Sequence, residues 1–188
     1  MSQVCGPGFR QLVAASRAML DDHLLRGETP DPDRLVGWEF RGANTPAWAS
    51  WLGIRKFIKG FYRAADGRIL GYNSPVVQNR LDEPWLPRKT SAAGEARRFG
   101  FYQVTVVDAT ARDNAYLHAA LLDYGAGHNP LFDPSRGLRD YLVAIPGTDG
   151  DLYLGKAYYA LGPARLGVSF FVLERMAPGP LVPRFGGA

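Results

Sequence analysis

Residues 54–72 read IRKFIKGFYRAADGRILGY, two β-type runs flanking an Asp-Gly turn signal. The first run, 54–63, holds four cations (Arg55, Lys56, Lys59, Arg63) and three aromatics (Phe57, Phe61, Tyr62). Side chains alternate along a strand. Arg55, Phe57, Lys59, Phe61 and Arg63 therefore share one face, and Ile54, Lys56, Ile58, Gly60 and Tyr62 share the other. Neither face is purely apolar. The plainer assignment puts Ile54, Ile58 and Tyr62 inside and the cations outside. The alternative puts Phe57 and Phe61 inside with Lys59 between them. A buried ammonium is costly unless it meets an anion or loses its proton. On that reading Phe57, Lys59 and Phe61 form a ligand-binding wall, and Lys59 meets a carboxylate or phosphate head.

Working outward, residues 36–42 also alternate, with Val36, Trp38 and Phe40 on one face. Residues 68–72 return as the hairpin partner of 54–63, and 75–79 form a further short run. Runs 101–107, 115–124, 138–145, 152–160 and 166–175 are rich in β-branched and aromatic residues and are separated by turn-type clusters. This predicts a mainly β fold, an antiparallel meander of about eight or nine strands. Closing the sheet into a barrel removes its edges, and a sandwich is the competing arrangement. Several runs are apolar on both faces, so a helix or a partner must cover part of the outside.

Before the strands, Phe9, Leu12, Val13, Met19, Leu20 and Leu24 recur at helical spacing between Pro7 and Gly27. They predict one N-terminal helix docked on the barrel. The expected organisation is helix and linker over 1–35, barrel over 36–175 and a loose tail over 176–188. AWASWLG, 47–53, reads as a short turn or loop, and 81–100 as one loop long enough to serve as a lid.

The 188 residues suit one domain with a substantial core. The net charge of +4 is spread along the chain, without the concentrated patch of a nucleic-acid binder. Cys5 is the only cysteine, so neither an intrachain disulfide nor a Cys-based zinc site is available. No run has the length of a membrane span, and the N-terminus lacks signal-peptide order, so the expected location is cytoplasmic. His23, His118 and His128 stand at no metal-ligand spacing, and no G-x-S-x-G elbow is present. No motif names a cofactor.

The C-terminal meander offers a second candidate wall. A two-residue hairpin at Asp149-Gly150 places Lys156 opposite Val143 and Tyr158 opposite Tyr141, with Arg139 on the same face. Asp140, Leu142, Ala157 and Tyr159 then lie on the opposite face. Tyr141, Lys156 and Tyr158 form either a polar-tipped cavity wall or an ordinary exterior. His118, within the 115–124 run, completes the candidate ligand-binding set.

The layout resembles the lipocalin-like, or calycin, barrels through Gly37-Trp38 at the first strand, Asp140-Tyr141 in a later one and Arg175 at the end of the last. The resemblance implies that Arg175 covers Trp38 at the closed barrel end, and that a small apolar ligand sits inside. Here Gly37 and Trp38 are adjacent, whereas the lipocalin motif separates them by one residue.

The leading expectation is a barrel that binds a hydrophobic or amphipathic small molecule, with Lys59 or Lys156 meeting an anionic head. One alternative is a barrel enzyme of the isomerase or cyclase type, using acid–base chemistry at His118, Asp140 and Tyr141. The other is an interaction module, its outer faces buried in a homodimer or a partner. Binding ranks ahead of catalysis.

Overall fold

A computed structural model describes residues 5–45, 54–89, 94 and 96–180. The expected loop at 47–53 lies outside the described residues, as does the end of the expected tail, 181–188.

The strands are β1 (Trp38–Thr45), β2 (Lys56–Arg63), β3 (Ile69–Pro75), β4 (Phe99–Val106), β5 (Ala120–Asp123), β6 (Leu138–Ala144), β7 (Leu152–Leu161) and β8 (Ala164–Pro178). Each pairs antiparallel with the next, and β8 pairs with β1, so the meander closes into an eight-stranded barrel. β8 continues through Pro178, so the expected tail begins inside the sheet. β5 is shorter than its sequence run. Residues 115–119 turn instead, and the Ala119 N–H bonds the Tyr116 carbonyl at 3.1 Å.

The expected single helix is two, α1 (Pro7–Ala14) and α2 (Arg17–Arg26). Ala15 and Ser16 are both extended, and the Ser16 hydroxyl accepts from the Met19 N–H at 3.3 Å. Ser16 thus caps a new helix rather than continuing the old one. At the other end, the Gly6 N–H is held by the Glu174 carboxylate of β8 at 2.9 Å.

The helices explain the strands that are apolar on both faces. Phe9 and Leu12 of α1 and Leu20 and Leu24 of α2 pack on the outward residues Ala43, Ile58, Val143, Leu154, Phe170 and Val172. A second cluster fills the barrel itself, including Leu35, Phe40, Phe61, Leu142, Tyr153 and Leu173. The barrel wall is therefore one layer between two apolar cores.

Four pairs across the wall share one design: Gly42↔Phe57, Gly60↔Tyr72, Gly71↔Tyr102 and Gly155↔Phe171 are register partners. In each, the aromatic ring lies where a Cβ of the glycine would stand, 2.0 to 2.3 Å from its nearest atom. The ring covers backbone that a side chain would otherwise occupy.

The long connection after β3 does not hang free. Val76 bridges Pro87, and Trp85 is buried edge-on against Phe9 with ring centroids 5.9 Å apart. The Lys56 ammonium donates to Asn79 Oδ1 (2.5 Å) and to the carbonyls of Arg80 and Glu83 (2.9 Å each). It also stands 3.8 Å from the centre of the Trp85 ring. One lysine thus pins residues 76–85 to the outer wall, where a lid over the barrel mouth was expected.

Gly155→Ala tests the glycine–aromatic packing. The new methyl would lie 2.0 Å from the Phe171 ring, so the ring must leave its rotamer. Overpacking of this kind costs about 1–3 kcal/mol. The urea midpoint should fall with an unchanged m-value, and an unchanged midpoint would show that the ring is not held there.

Candidate functional site

On β2 the structure reverses the plainer face assignment. Register with β1 and β3 turns Phe57, Lys59 and Phe61 inward, Lys56 and Ile58 outward beneath the helices and the 76–85 segment, and Tyr62 outward into a separate cluster with Leu70 and Tyr72. Lys59 is only 2% exposed.

A cavity of about 210 Å³ runs from Lys59 and Asp140 in the interior to Ile54, Ser135 and Val168 near the barrel rim. Its walls are otherwise mainly apolar, with Phe57, Phe99, Leu138 and Phe171 among them. Toward the opposite end Phe40, Phe61 and Tyr153 pack edge to face, and beyond them a separate, more polar hollow of about 230 Å³ lies among Glu28, Arg34, Asp149 and Tyr153.

The inner end of the cavity is a closed set of polar contacts. The Lys59 ammonium donates to Asn73 Oδ1 (3.0 Å), the Tyr124 phenol (2.5 Å) and Asp140 Oδ2 (3.3 Å). The Tyr124 hydroxyl donates to the same Asp140 oxygen at 3.0 Å. Asn73 Nδ2 donates to the Gly100 carbonyl at 2.8 Å, which fixes its oxygen toward the lysine. Lys59 also lies 4.5 Å from the Tyr102 ring centre and 5.2 Å from that of Phe171. Ring faces attract a cation, and more strongly without water.

Strand geometry places each member. Lys59 is the register partner of Asn73, and Asp140 follows the same parity as Leu142, so both point inward. Tyr124 continues the inward positions of Ala120 and Leu122 just past β5. Burial pushes the Lys59 ammonium down and the Asp140 carboxyl up, each toward its neutral form. Their mutual attraction opposes both shifts. Burial, and then the charge of Asp140, raise the Tyr124 phenol well above its ordinary value. Whichever group holds the proton, the pair carries no net charge.

Of the residues singled out from sequence, Phe57 and Lys59 line the cavity, and Phe61 lies deeper, edge-on to Tyr102 at 5.7 Å. Tyr141, Lys156 and Tyr158 face outward, away from the cavity, in a cluster next to α2. Lys156 pairs with Asp21 at 2.6 Å and donates to the Tyr116 phenol at 3.1 Å, and Tyr116 and Tyr158 share a hydrogen bond of 2.9 Å. Tyr141 lies edge-on to Tyr158 at 5.8 Å. The physical reason is strand parity: Asp140 and Ala157 take the inward positions, which leaves their neighbours outside. His118 precedes β5 rather than lying in it, and its Nε2 donates to the Leu24 carbonyl at the end of α2, 2.9 Å away.

The expected β6–β7 register differs by two residues. Lys156 faces Tyr141, and Leu154 faces Val143. The connection spans 146–151 and is closed by the Ile145 N–H to the Leu152 carbonyl at 3.0 Å. Arg175 stands 4.7 Å from the centre of the Trp38 ring and bonds the Gly150 carbonyl at 2.9 Å, near the packed end of the barrel.

Asn73 and Tyr124 were absent from the sequence-based site, and Asp140 entered it only as a catalytic alternative. A signal existed: Asp140 shares a face with Leu142 and Ala157, and a carboxylate on an apolar face needs a buried partner. No family model matches this chain, and neither does any curated protein or solved structure. The closed eight-stranded barrel is compatible with a lipocalin-like fold. Among the described residues no helix is long and apolar enough to cross a membrane, and no three His, Cys, Asp or Glu side chains converge as metal ligands.

Burial raises the phenols of Tyr62, Tyr72, Tyr102, Tyr124, Tyr141, Tyr153 and Tyr158, the last to about 12. A raised folded-state pKa contributes stability below the unfolded value, near 10, and loses it as the pH climbs through the folded one. Tyrosinate absorbance at 295 nm should therefore rise together with loss of the circular dichroism signal above about pH 10. Extensive ionisation in a chain that stays folded would contradict this burial.

Proposed function

We propose that the barrel binds a small, mostly apolar molecule carrying a neutral oxygen function, with that oxygen at Lys59, Tyr124 and Asp140. The observation that carries this reading is the buried polar set at the inner end of an otherwise mainly apolar cavity. Ligand sites combine apolar walls with a few convergent polar groups. The cavity is smaller than the roughly 300–1,000 Å³ of sites for drug-sized molecules, so the occupant is correspondingly small.

The charge balance favours a neutral head over the anionic one first expected. Lys59 and Asp140 are the only cation and anion lining the cavity among the described residues. They offset each other whether ionised or neutral, so a carboxylate ligand would bring an uncompensated charge beside Asp140. Buried unpaired charge is strongly disfavoured. A carbonyl or hydroxyl brings no charge and avoids that penalty; to be bonded by Lys59 or Tyr124 it takes the place of one of their present acceptors.

Two measurements test this. Native mass spectrometry of the purified protein, followed by denaturation, should release a small neutral oxygenated compound where one is retained. Calorimetry with cinnamyl alcohol and cinnamate, matched in shape, should show the alcohol binding more tightly. Asp140→Asn removes the countercharge and should shift the ratio toward cinnamate by at least about tenfold, in line with a charge-assisted hydrogen bond. Equal binding of both by the native protein, unchanged in Asp140→Asn, would sink the reading.

A further inference from the structure

Lys59 is a primary amine whose Nζ reaches the cavity in direct contact with a phenol and a carboxyl group. The chain has four lysines, Lys56, Lys59, Lys89 and Lys156. Lys56 is enclosed by the carbonyls of the 79–84 segment, Lys156 is ion-paired to Asp21 on the outer wall, and Lys89 is exposed. Only Lys59 lines the 210 Å³ cavity. A hydrophobic residue there would fill the barrel without a desolvation penalty, and in its place stands a nucleophile with a proton-transfer chain attached.

We propose that Lys59 condenses with the carbonyl group of an aldehyde or ketone held in the cavity, forming a Schiff base. This rests on the reading that the cavity takes a neutral oxygenated ligand, and it narrows that ligand to a carbonyl compound.

The contacts supply each step. The ammonium passes a proton to Asp140 Oδ2, 3.3 Å away, which frees the lone pair on Nζ. Nζ attacks the carbonyl carbon, the C–N bond forms, and the π pair moves to oxygen. That oxygen takes a proton from Tyr124, whose hydroxyl is 2.5 Å from Nζ and is resupplied through its 3.0 Å bond to Asp140. The adduct nitrogen returns a proton to Asp140, giving a neutral carbinolamine. Asp140 then protonates the hydroxyl, the C–O bond breaks, and water leaves as the nitrogen lone pair forms C=N. The balance is ammonium plus carbonyl giving iminium plus water, with Asp140 a carboxylate at the start and at the end. The iminium inherits the ammonium's place beside that carboxylate, so the product charge is already compensated. Desolvated lysines in apolar pockets are the usual source of such nucleophiles.

The test is reductive trapping. The full chain is incubated with cinnamaldehyde and sodium cyanoborohydride, then examined by intact mass and peptide mapping. The expected result is one adduct, mapped to Lys59 and formed at least about tenfold faster than at exposed Lys89, because the cavity holds the carbonyl against the amine. Lys59→Arg keeps the charge and should lose that adduct. The mapping on the native chain decides the matter even where the variant folds poorly. Adducts at Lys89, Lys156 and the N-terminus with Lys59 untouched, while cinnamaldehyde still displaces cinnamyl alcohol, would overturn the Schiff base and spare the binding site. Failure of both molecules to bind, again with Lys59 unmodified, would overturn both.

Discussion

Pairing of β1 with β8, from Trp38↔Pro178 to Thr45↔Phe170, turns a meander into a closed wall, and the site depends on that closure. In an open sheet, a lysine on the inner face of β2 would reach water past an edge. In a closed barrel it has only the other inward side chains for company. Lys59 and Asp140, 81 residues apart in sequence, meet because closure leaves each of them few other partners. The barrel thereby turns two unfavourable burials into one neutral group, and that group becomes the polar end of the cavity. Asn73 and Tyr124 then occupy the remaining donors and acceptors, as an enclosed polar set requires.

Covering the wall on both sides shapes the rest of the molecule. The helices and the segment held by Lys56 keep water from the outward residues, so the strands can be apolar throughout. Three of the glycine–aromatic pairs, those of Phe57, Tyr102 and Phe171, let large rings lie flat along the inner wall, so the interior can hold many aromatics and still retain space near one rim; Tyr72 does the same on the outer face. Phe57 and Phe171 belong both to this packing and to the cavity lining, which ties the shape of the site to the packing of the barrel.

Much of the fold was legible because alternation and turn chemistry are local. Strand existence, antiparallel order and the barrel followed from them. The break at Ser16 was missed because apolar spacing continues across it, while a single hydroxyl redirects the chain. The β6–β7 register slipped because Asp149-Gly150 reads as a two-residue turn. In fact Gly147, Asp149 and Gly150 all take positive φ within one longer loop. That slip moved partners by two and left each residue on its face, so Asp140 and Leu142 kept their shared side. The inner face of β2 was ambiguous for a different reason: residues 56–62 are all buried, so alternation carries no contrast there. Lys59 could be assigned only by knowing what stood across the barrel, and Asn73, Tyr124 and Asp140 lie on other strands or just beyond them. Pairwise meetings across a closed barrel leave no local periodic trace.

The closing strand is also the last of the eight to be made. β8 begins at Ala164, so during synthesis the backbone donors and acceptors on the β8-facing side of Trp38–Thr45 stay unpaired until residues 164–178 have left the ribosome, while the other side can already pair with β2. Exposed strand edges of this kind template association with other chains. A product terminated in β7 would keep seven strands and two open edges, with the inner aromatics accessible between them. For this barrel, translation through residues 164–178 is the step that removes both exposed edges at once.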